Sequence, residues 1–361
     1  DMSRRSPIKK VLHPAFSVLK WALIAALMLE VASFAVVTGV NLFLYGHPRE
    51  GSRVRYDPYT LYLNHAGPKA TPGCPAPPGL RKPARRIWMF GGSTMRGESG
   101  EGVSPIPAHL HRMLNGPDSA VHFECWNLGE NSFNSLLEVQ YLQKRLIEER
   151  DRPDWIVFFD GANEAVYLSQ HRNPHGHHGY RRFRSMVESY HKRPFGLLKP
   201  LNAALYSSFT KELYDKIMQT LVPLEENDPL VREFARVCER RYDHVHRTAL
   251  SLGAGFTLFL QPCWWAETAA VDPRVARQEQ AIAKQEKHFP ATRKNFLAVY
   301  GVLSRRLEGK PYFVNLQNAL TDRTRPVYNS DGVHMNDDGH RRVAAEMKTI
   351  LEGRFQEERG D

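Results

Sequence analysis

Three short apolar runs, each closed by a glycine-containing polar loop, constrain this chain more than any other feature. The first, Ile87-Trp88-Met89-Phe90, ends in Gly91-Gly92-Ser93-Thr94. The second, 121–127 (VHFECWN), ends in Leu128-Gly129-Glu130-Asn131-Ser132, and the third, 154–159 (DWIVFF), in Asp160-Gly161-Ala162-Asn163-Glu164. The near-continuous apolar run at 154–159 is of the kind found in parallel strands buried on both faces, and Gly closing an apolar run marks a strand end. Helical patterns ending at Leu114 and covering 136–150 separate the runs. Successive parallel strands bring their terminal loops to one edge of the sheet, where open α/β sheets bind ligands. Ser93 then stands at the start of a helix, as an N-cap or as a nucleophile.

The pattern continues. A fourth strand is expected at 255–261 (GFTLFLQ), running into Pro262-Cys263-Trp264-Trp265, whose aromatics either wall a pocket or pack the core. An amphipathic helix at 296–307 and a fifth strand at 312–316 (YFVNL) follow. This order predicts an α/β fold, a three-layer α/β/α arrangement on a mostly parallel sheet. Residues 165–252 carry no core strand and read as a helical insertion, with helices at 200–222 and 228–251. Within it, 170–193 is crowded with His and Arg. His171, His175, His177 and His178 lack acidic co-ligands and sit among cations, which argues for a mobile basic lid or an acidic partner's surface over a metal site. No cofactor or metal is expected.

The amino terminus is a separate matter. Residues 21–44 are apolar except for Glu30 and a few small polar residues, and as a helix would run about 36 Å, enough to cross a bilayer. Arg4, Arg5, Lys9, Lys10 and Lys20 precede it, so the positive-inside rule keeps residues 1–20 cytoplasmic and exports the rest. Val31-Ala32-Ser33 is a passable cleavage site, but the apolar run continues beyond it, which favours an uncleaved signal anchor over 21–45. A single-pass protein of the cell membrane is the expectation. Glu30 falls mid-span, where an acid costs on the order of 3 kcal/mol. It reads either as the contact for a membrane partner or as a carboxyl that is protonated or reached by water. Residues 46–84, rich in Pro and Gly and densest at 71–79, read as an extracytoplasmic linker, with 53–63 as an edge strand or lip.

Charge and cysteine usage narrow the function classes. The net charge of +10 suits an acidic surface such as anionic lipid, polysaccharide or nucleic acid, but no zinc-finger or ribonucleoprotein motif occurs, so nucleic acid is not expected. Gly97, Gly100 and Gly102 do not match a phosphate-binding loop. Cys74, Cys125, Cys238 and Cys263 form no CxxC pair; outside the cytoplasm they allow one or two disulfides.

The segment Tyr328-Asn329-Ser330-Asp331-Gly332-Val333-His334-Met335-Asn336 precedes a last helix at 341–354. Three residues apart in a tight turn, Asp331 can reach the His334 imidazole, fix its tautomer and leave the other nitrogen to take a proton. The alternative is an Asx-turn with an incidental histidine.

Gly91-Gly92-Ser93-Thr94, Gly129 of Asn127-Leu128-Gly129, Gly161-Ala162-Asn163-Glu164 and Asp331-Gly332-Val333-His334 stand in the order of the four blocks of the SGNH, or GDSL-like, hydrolases. The chain resembles that superfamily from about 87 to 352, placing an SGNH catalytic domain at 85–361 with the insertion at about 165–252. It departs at Gly92, where Asp is usual, and at Glu164, where Asp is more usual. The resemblance implies a flavodoxin-like sheet, Ser93 as nucleophile, His334 as general base and Asp331 as its orienting carboxylate. It implies an oxyanion hole from the amides of Ser93 and Gly129 and the Asn163 side chain. Backbone donors of this kind need glycine for close approach. His340 is expected to cap or pack the last helix.

With the anchor, the chain resembles SGNH proteins that modify cell-surface glycans, some beside a multi-span membrane O-acyltransferase that would suit Glu30. The expected activity is an esterase or O-acetyltransferase acting on an extracytoplasmic glycan. The alternatives are a lipid or lipoprotein esterase and a silent scaffold subunit of a membrane acyltransferase complex.

Overall fold

A computed structural model describes residues 7–45, 54–64, 84–98, 102–117, 119–150, 152–180, 183–184, 186–188, 205, 208–218, 222–286 and 291–357. The linker's densest part, with Cys74, and 181–182, 185 and 189–193 of the His/Arg-rich stretch lie outside them, as do Arg4, Arg5 and 200–204, 206–207 and 219–221 of the helix expected at 200–222. The chain forms two compact units, one of 1–52 with 181–220 and one of 53–180 with 221–361.

In the first unit, helix α1 (Pro7–Tyr45) is unbroken, and its Phe16–Val40 stretch is long and apolar enough to cross a membrane. The carboxylate of Glu30 accepts hydrogen bonds from the N–H groups of Phe209 (2.6 Å) and Thr210 (3.0 Å) and from Thr210 Oγ1 (2.8 Å). These donors open a later helix, Phe209–Met218, whose first N–H groups lack intrahelical acceptors and whose positive end favours a carboxylate. Ser33 and Val37 are buried on the same face of α1, and Phe34 meets the Phe209 ring edge-on at 4.9 Å. The Glu30 carboxylate is thus bonded from within the chain.

In the second unit, strands β1 (Val54–Asp57) and β2 (Leu61–Asn64) form an antiparallel hairpin. The main sheet has β3 (Ala84–Gly91), β4 (His122–Gly129), β5 (Trp155–Asp160), β6 (Gly255–Leu260) and β7 (Phe313–Asn315), in the spatial order β4-β3-β5-β6-β7, all parallel. The order reverses beside β3, which makes the carboxyl end of β3 a topological switch point. The central strands are buried on both faces: Ile87, Met89, Phe90, Ile156, Val157, Phe158 and Phe159 are fully enclosed.

Two layers of helices cover the sheet. The helices α2 (Ser93–Arg96), α3 (Ile106–Leu114), α4 (Ser135–Glu148) and α5 (Ala162–His171) follow the first three main-sheet strands. With Phe209–Met218 counted as α6, Pro229–Ser251 is α7, Thr292–Leu307 is α8 and Asp337–Glu357 is α9. On α7, Val231, Phe234, Ala235 and Cys238 recur at helical spacing and are all buried. Cys125, Cys238 and Cys263 are buried, and among the described residues no disulfide joins them to one another.

Candidate active site

The carboxyl ends of β3, β4 and β5 and the turn before α9 supply the site. β3 ends at Gly91, where an added Cβ would lie 2.7 Å from Met95 Cβ and 3.1 Å from the Phe159 carbonyl oxygen. Only glycine lets the chain turn into α2 this close to β5. Ser93 is the first residue of α2, where N–H groups have no intrahelical acceptor. Among the described hydrogen bonds the Ser93 amide makes none.

Ser93 Oγ lies 2.7 Å from His334 Nε2, and His334 Nδ1 lies 2.6 Å from Asp331 Oδ2. With its proton on Nδ1, the imidazole donates to the carboxylate and accepts the Ser93 hydroxyl hydrogen on Nε2. Asp331 Oδ1 also accepts the N–H groups of Val333 (2.8 Å) and His334 (2.9 Å). Asp331 is therefore an Asx-turn residue and the histidine's partner at once; the two readings of the sequence are compatible. Burial lowers the proton affinity of His334, but the hydrogen bond and charge of Asp331, with Glu98, outweigh it and raise the pKa above the ordinary imidazole value. Asp331 is held below the usual carboxylate range: burial pushes it up, and His334 with the two backbone donors more than offsets this.

The turn is braced by the segment after β6. Trp265 Nε1 donates to the Asp331 carbonyl (2.6 Å), and the Trp264 N–H donates to the Gly332 carbonyl (2.9 Å). Gly332 has φ +72°, and a Cβ there would lie 2.7 Å from Trp265 Nε1. Of the two roles open to these tryptophans, Trp265 takes that of a buried support beneath the turn. Deeper still, Arg323 is 1% exposed and pairs with Glu267 and Glu279, each at 2.6 Å, while Tyr328 donates to Glu267 (3.0 Å).

On the opposite side stands Asn163. Its Nδ2 donates to the Phe133 carbonyl (2.7 Å), which leaves one amide hydrogen unspent. A Cβ on Gly92 would fall 2.1 Å from that nitrogen. The departure from Asp at this position therefore has a steric cause here: the space a side chain would fill holds the Asn163 amide beside Ser93.

Gly129 stands at the end of β4, beside Gly91 of β3. Its N–H donates to Asn127 Oδ1 (3.0 Å), so this donor is engaged within its own strand end. Its lack of a side chain serves packing, since a Cβ would lie 2.5 Å from Arg96 N. The Ser93 amide and the Asn163 side chain are the two donors left open. The sequence reading missed Ser132, whose φ of 59° is costly for a non-glycine residue and falls one residue before Phe133. A serine in a polar loop gave no signal of it.

The start of the His-rich stretch is ordered against α5. His178 Nε2 lies 3.3 Å from the Asn163 carbonyl, and its ring meets that of Tyr167 at 5.6 Å. Burial, with the neighbouring His171, depresses its pKa to about 4, so it is uncharged at neutral pH. This described part of 170–193 packs against α5. His340 is buried against the Ser104 carbonyl (2.9 Å), and burial depresses it to about 4. Among the described residues no His, Cys, Asp and Glu group has metal-ligand geometry.

No protein-family model matches the chain, and no curated protein matches it. Solved structures similar to it include a lipase/acylhydrolase from Enterococcus faecalis, 18% identical over 75% of this chain and 96% of that one, with a TM-score of 0.41. An acetylxylan esterase from Geobacillus stearothermophilus is 13% identical over 74% and 93%, with a TM-score of 0.36. The acetyl xylan esterase AlAXEase is 14% identical over 74% and 99%, with a TM-score of 0.39.

Proposed function

We propose that this protein is a membrane-anchored serine ester enzyme of the SGNH type. The observation that carries the reading is the hydrogen-bonded run Ser93–His334–Asp331, at 2.7 and 2.6 Å, with the Asn163 amide against the neighbouring Gly92. Ser93 Oγ attacks the ester carbonyl while His334 Nε2 takes its proton. The oxyanion is held by the Ser93 N–H and Asn163 Nδ2, and the alkoxide leaves with the proton from His334. The acyl-Ser93 ester is then attacked by water or by a sugar hydroxyl; His334 accepts that proton and returns it to Ser93 Oγ. Two pre-set donors suit this step, since losing one such donor costs about 10²–10³ in turnover.

An extracytoplasmic glycan is the proposed acyl acceptor or acyl carrier, on the resemblance of an anchored SGNH chain to those that modify surface glycans. Transfer would need an acyl donor, for which a multi-span membrane O-acyltransferase is the proposed partner. p-Nitrophenyl acetate turnover, with and without an acceptor oligosaccharide, tests the reading. Release of p-nitrophenol that disappears in Ser93→Ala is expected, and acetylated oligosaccharide marks transfer. Undiminished release by Ser93→Ala would overturn the assignment.

A further inference from the structure

Glu164 is 1% exposed and sits one residue past Asn163. Its Oε2 accepts the Gly161 N–H (3.0 Å), and its Oε1 accepts the Ser135 N–H (2.6 Å). The first bond closes the turn out of β5, where Gly161 holds φ +135° and a Cβ would lie 2.6 Å from the Tyr300 hydroxyl. The second reaches the opening residue of α4, at the end of the loop that runs from Gly129 through Ser132 and Phe133. One carboxylate thus ties the loop carrying Asn163 to the loop carrying Phe133, and the Phe133 carbonyl is what holds Asn163 Nδ2.

We infer that Glu164 is a positioning residue, a buried clamp that sets the Asn163 amide by fixing the two loops against each other. The inference rests on the serine-ester reading above. Glutamate suits the task because its carboxylate accepts from both loops, and a glutamine in its place has one acceptor oxygen. Burial raises the Glu164 pKa above the ordinary carboxylate value; the two backbone donors, and the Arg241 guanidinium bonded to Ser135 Oγ at 3.1 Å, act against that shift. The neighbouring Glu138 and Asp160 are equally buried. Burial first, and then the nearby carboxylates, raise both, Asp160 to about 8 and Glu138 well above the ordinary carboxylate value. Neither bonds the backbone of the Asn163 or Phe133 loop among the described hydrogen bonds. Glu138 is therefore a control for losing a buried acid without losing the clamp.

The test is p-nitrophenyl acetate kinetics on the full chain in detergent. Glu164→Gln is expected to lower kcat about 10- to 100-fold with KM within threefold, while Glu138→Gln keeps both within threefold. In an Asn163→Ala background, Glu164→Gln is expected to add less than threefold, because residues acting as one unit are non-additive. A Glu164→Gln enzyme within threefold of wild-type kcat overturns the inference, as does a double variant whose loss equals the product of the single losses. Should Glu164→Gln not fold, Glu164→Asp decides: a kcat more than threefold below wild type at unchanged KM supports the clamp, and an unchanged kcat overturns it. An inactive wild type, with no fluorophosphonate adduct on Ser93, would instead sink the serine-ester reading itself.

Discussion

Ser93 is hydrogen-bonded to His334 across 241 positions of sequence, and in the proposed reaction the pair works only while Asp331 keeps the imidazole in the right tautomer. The sign of the pH dependence follows. The base is active when Nε2 is unprotonated, and Asp331 raises the His334 pKa, so activity should rise with pH along a limb centred above the ordinary imidazole value near 6.5. Asp331→Asn should move that limb to lower pH and reduce kcat by about 10⁴. A pH–rate profile of both forms checks this; an unmoved limb would separate His334 from the base role. Gly92 offers a second residue-scale prediction. Gly92→Ala places a methyl group where the Asn163 amide nitrogen now sits, 2.1 Å from it. The amide must move, and kcat should fall by about 10², the loss typical of one oxyanion donor. Unchanged steady-state kinetics would deny Asn163 that role.

Among the elements, the segment after β6 does for the Asp331–His334 turn what α5 does for Asn163. Arg323 lies beneath it with two carboxylates and the Tyr328 hydroxyl closed around it. Truncating the arginine leaves Glu267 and Glu279 unpaired in the interior. Arg323→Met should therefore destabilise the fold by about 3–5 kcal/mol, the cost of breaking a buried pair from one side. Urea denaturation measures it, and a midpoint close to wild type would mean the carboxylates find other partners. The main-sheet strands and most helices were legible from apolar runs and glycine loops, because burial on two faces writes itself into composition. The bracing was not. Trp265 could as well have lined a pocket, and nothing local to Arg323, Glu267 and Glu279 announces a network joined over 56 and 44 positions. The glycine at 129 marked a close approach without naming its partner, which is the backbone of Arg96.

At the scale of the molecule, the chain divides into a unit built on α1 and a unit built on the sheet. Within the first, Glu30 secures the start of α6 through three hydrogen bonds. Glu30→Leu should leave α1 membrane-integrated but free α6, seen as faster protease cleavage within 205–218. Cleavage at the wild-type rate would return Glu30 to the search for an external partner. Within the second unit, the residues named by the four motif blocks come to one sheet edge, and the fold explains both departures from the usual pattern. Gly92 yields space to Asn163, and Glu164 reaches two loops at once. The most direct measurement of the central claim is mass-spectrometric mapping after fluorophosphonate treatment of the full chain. A single adduct on Ser93, lost in Ser93→Ala and strongly slowed in His334→Ala, is the predicted result. An unlabelled Ser93, or labelling indifferent to His334, would contradict it.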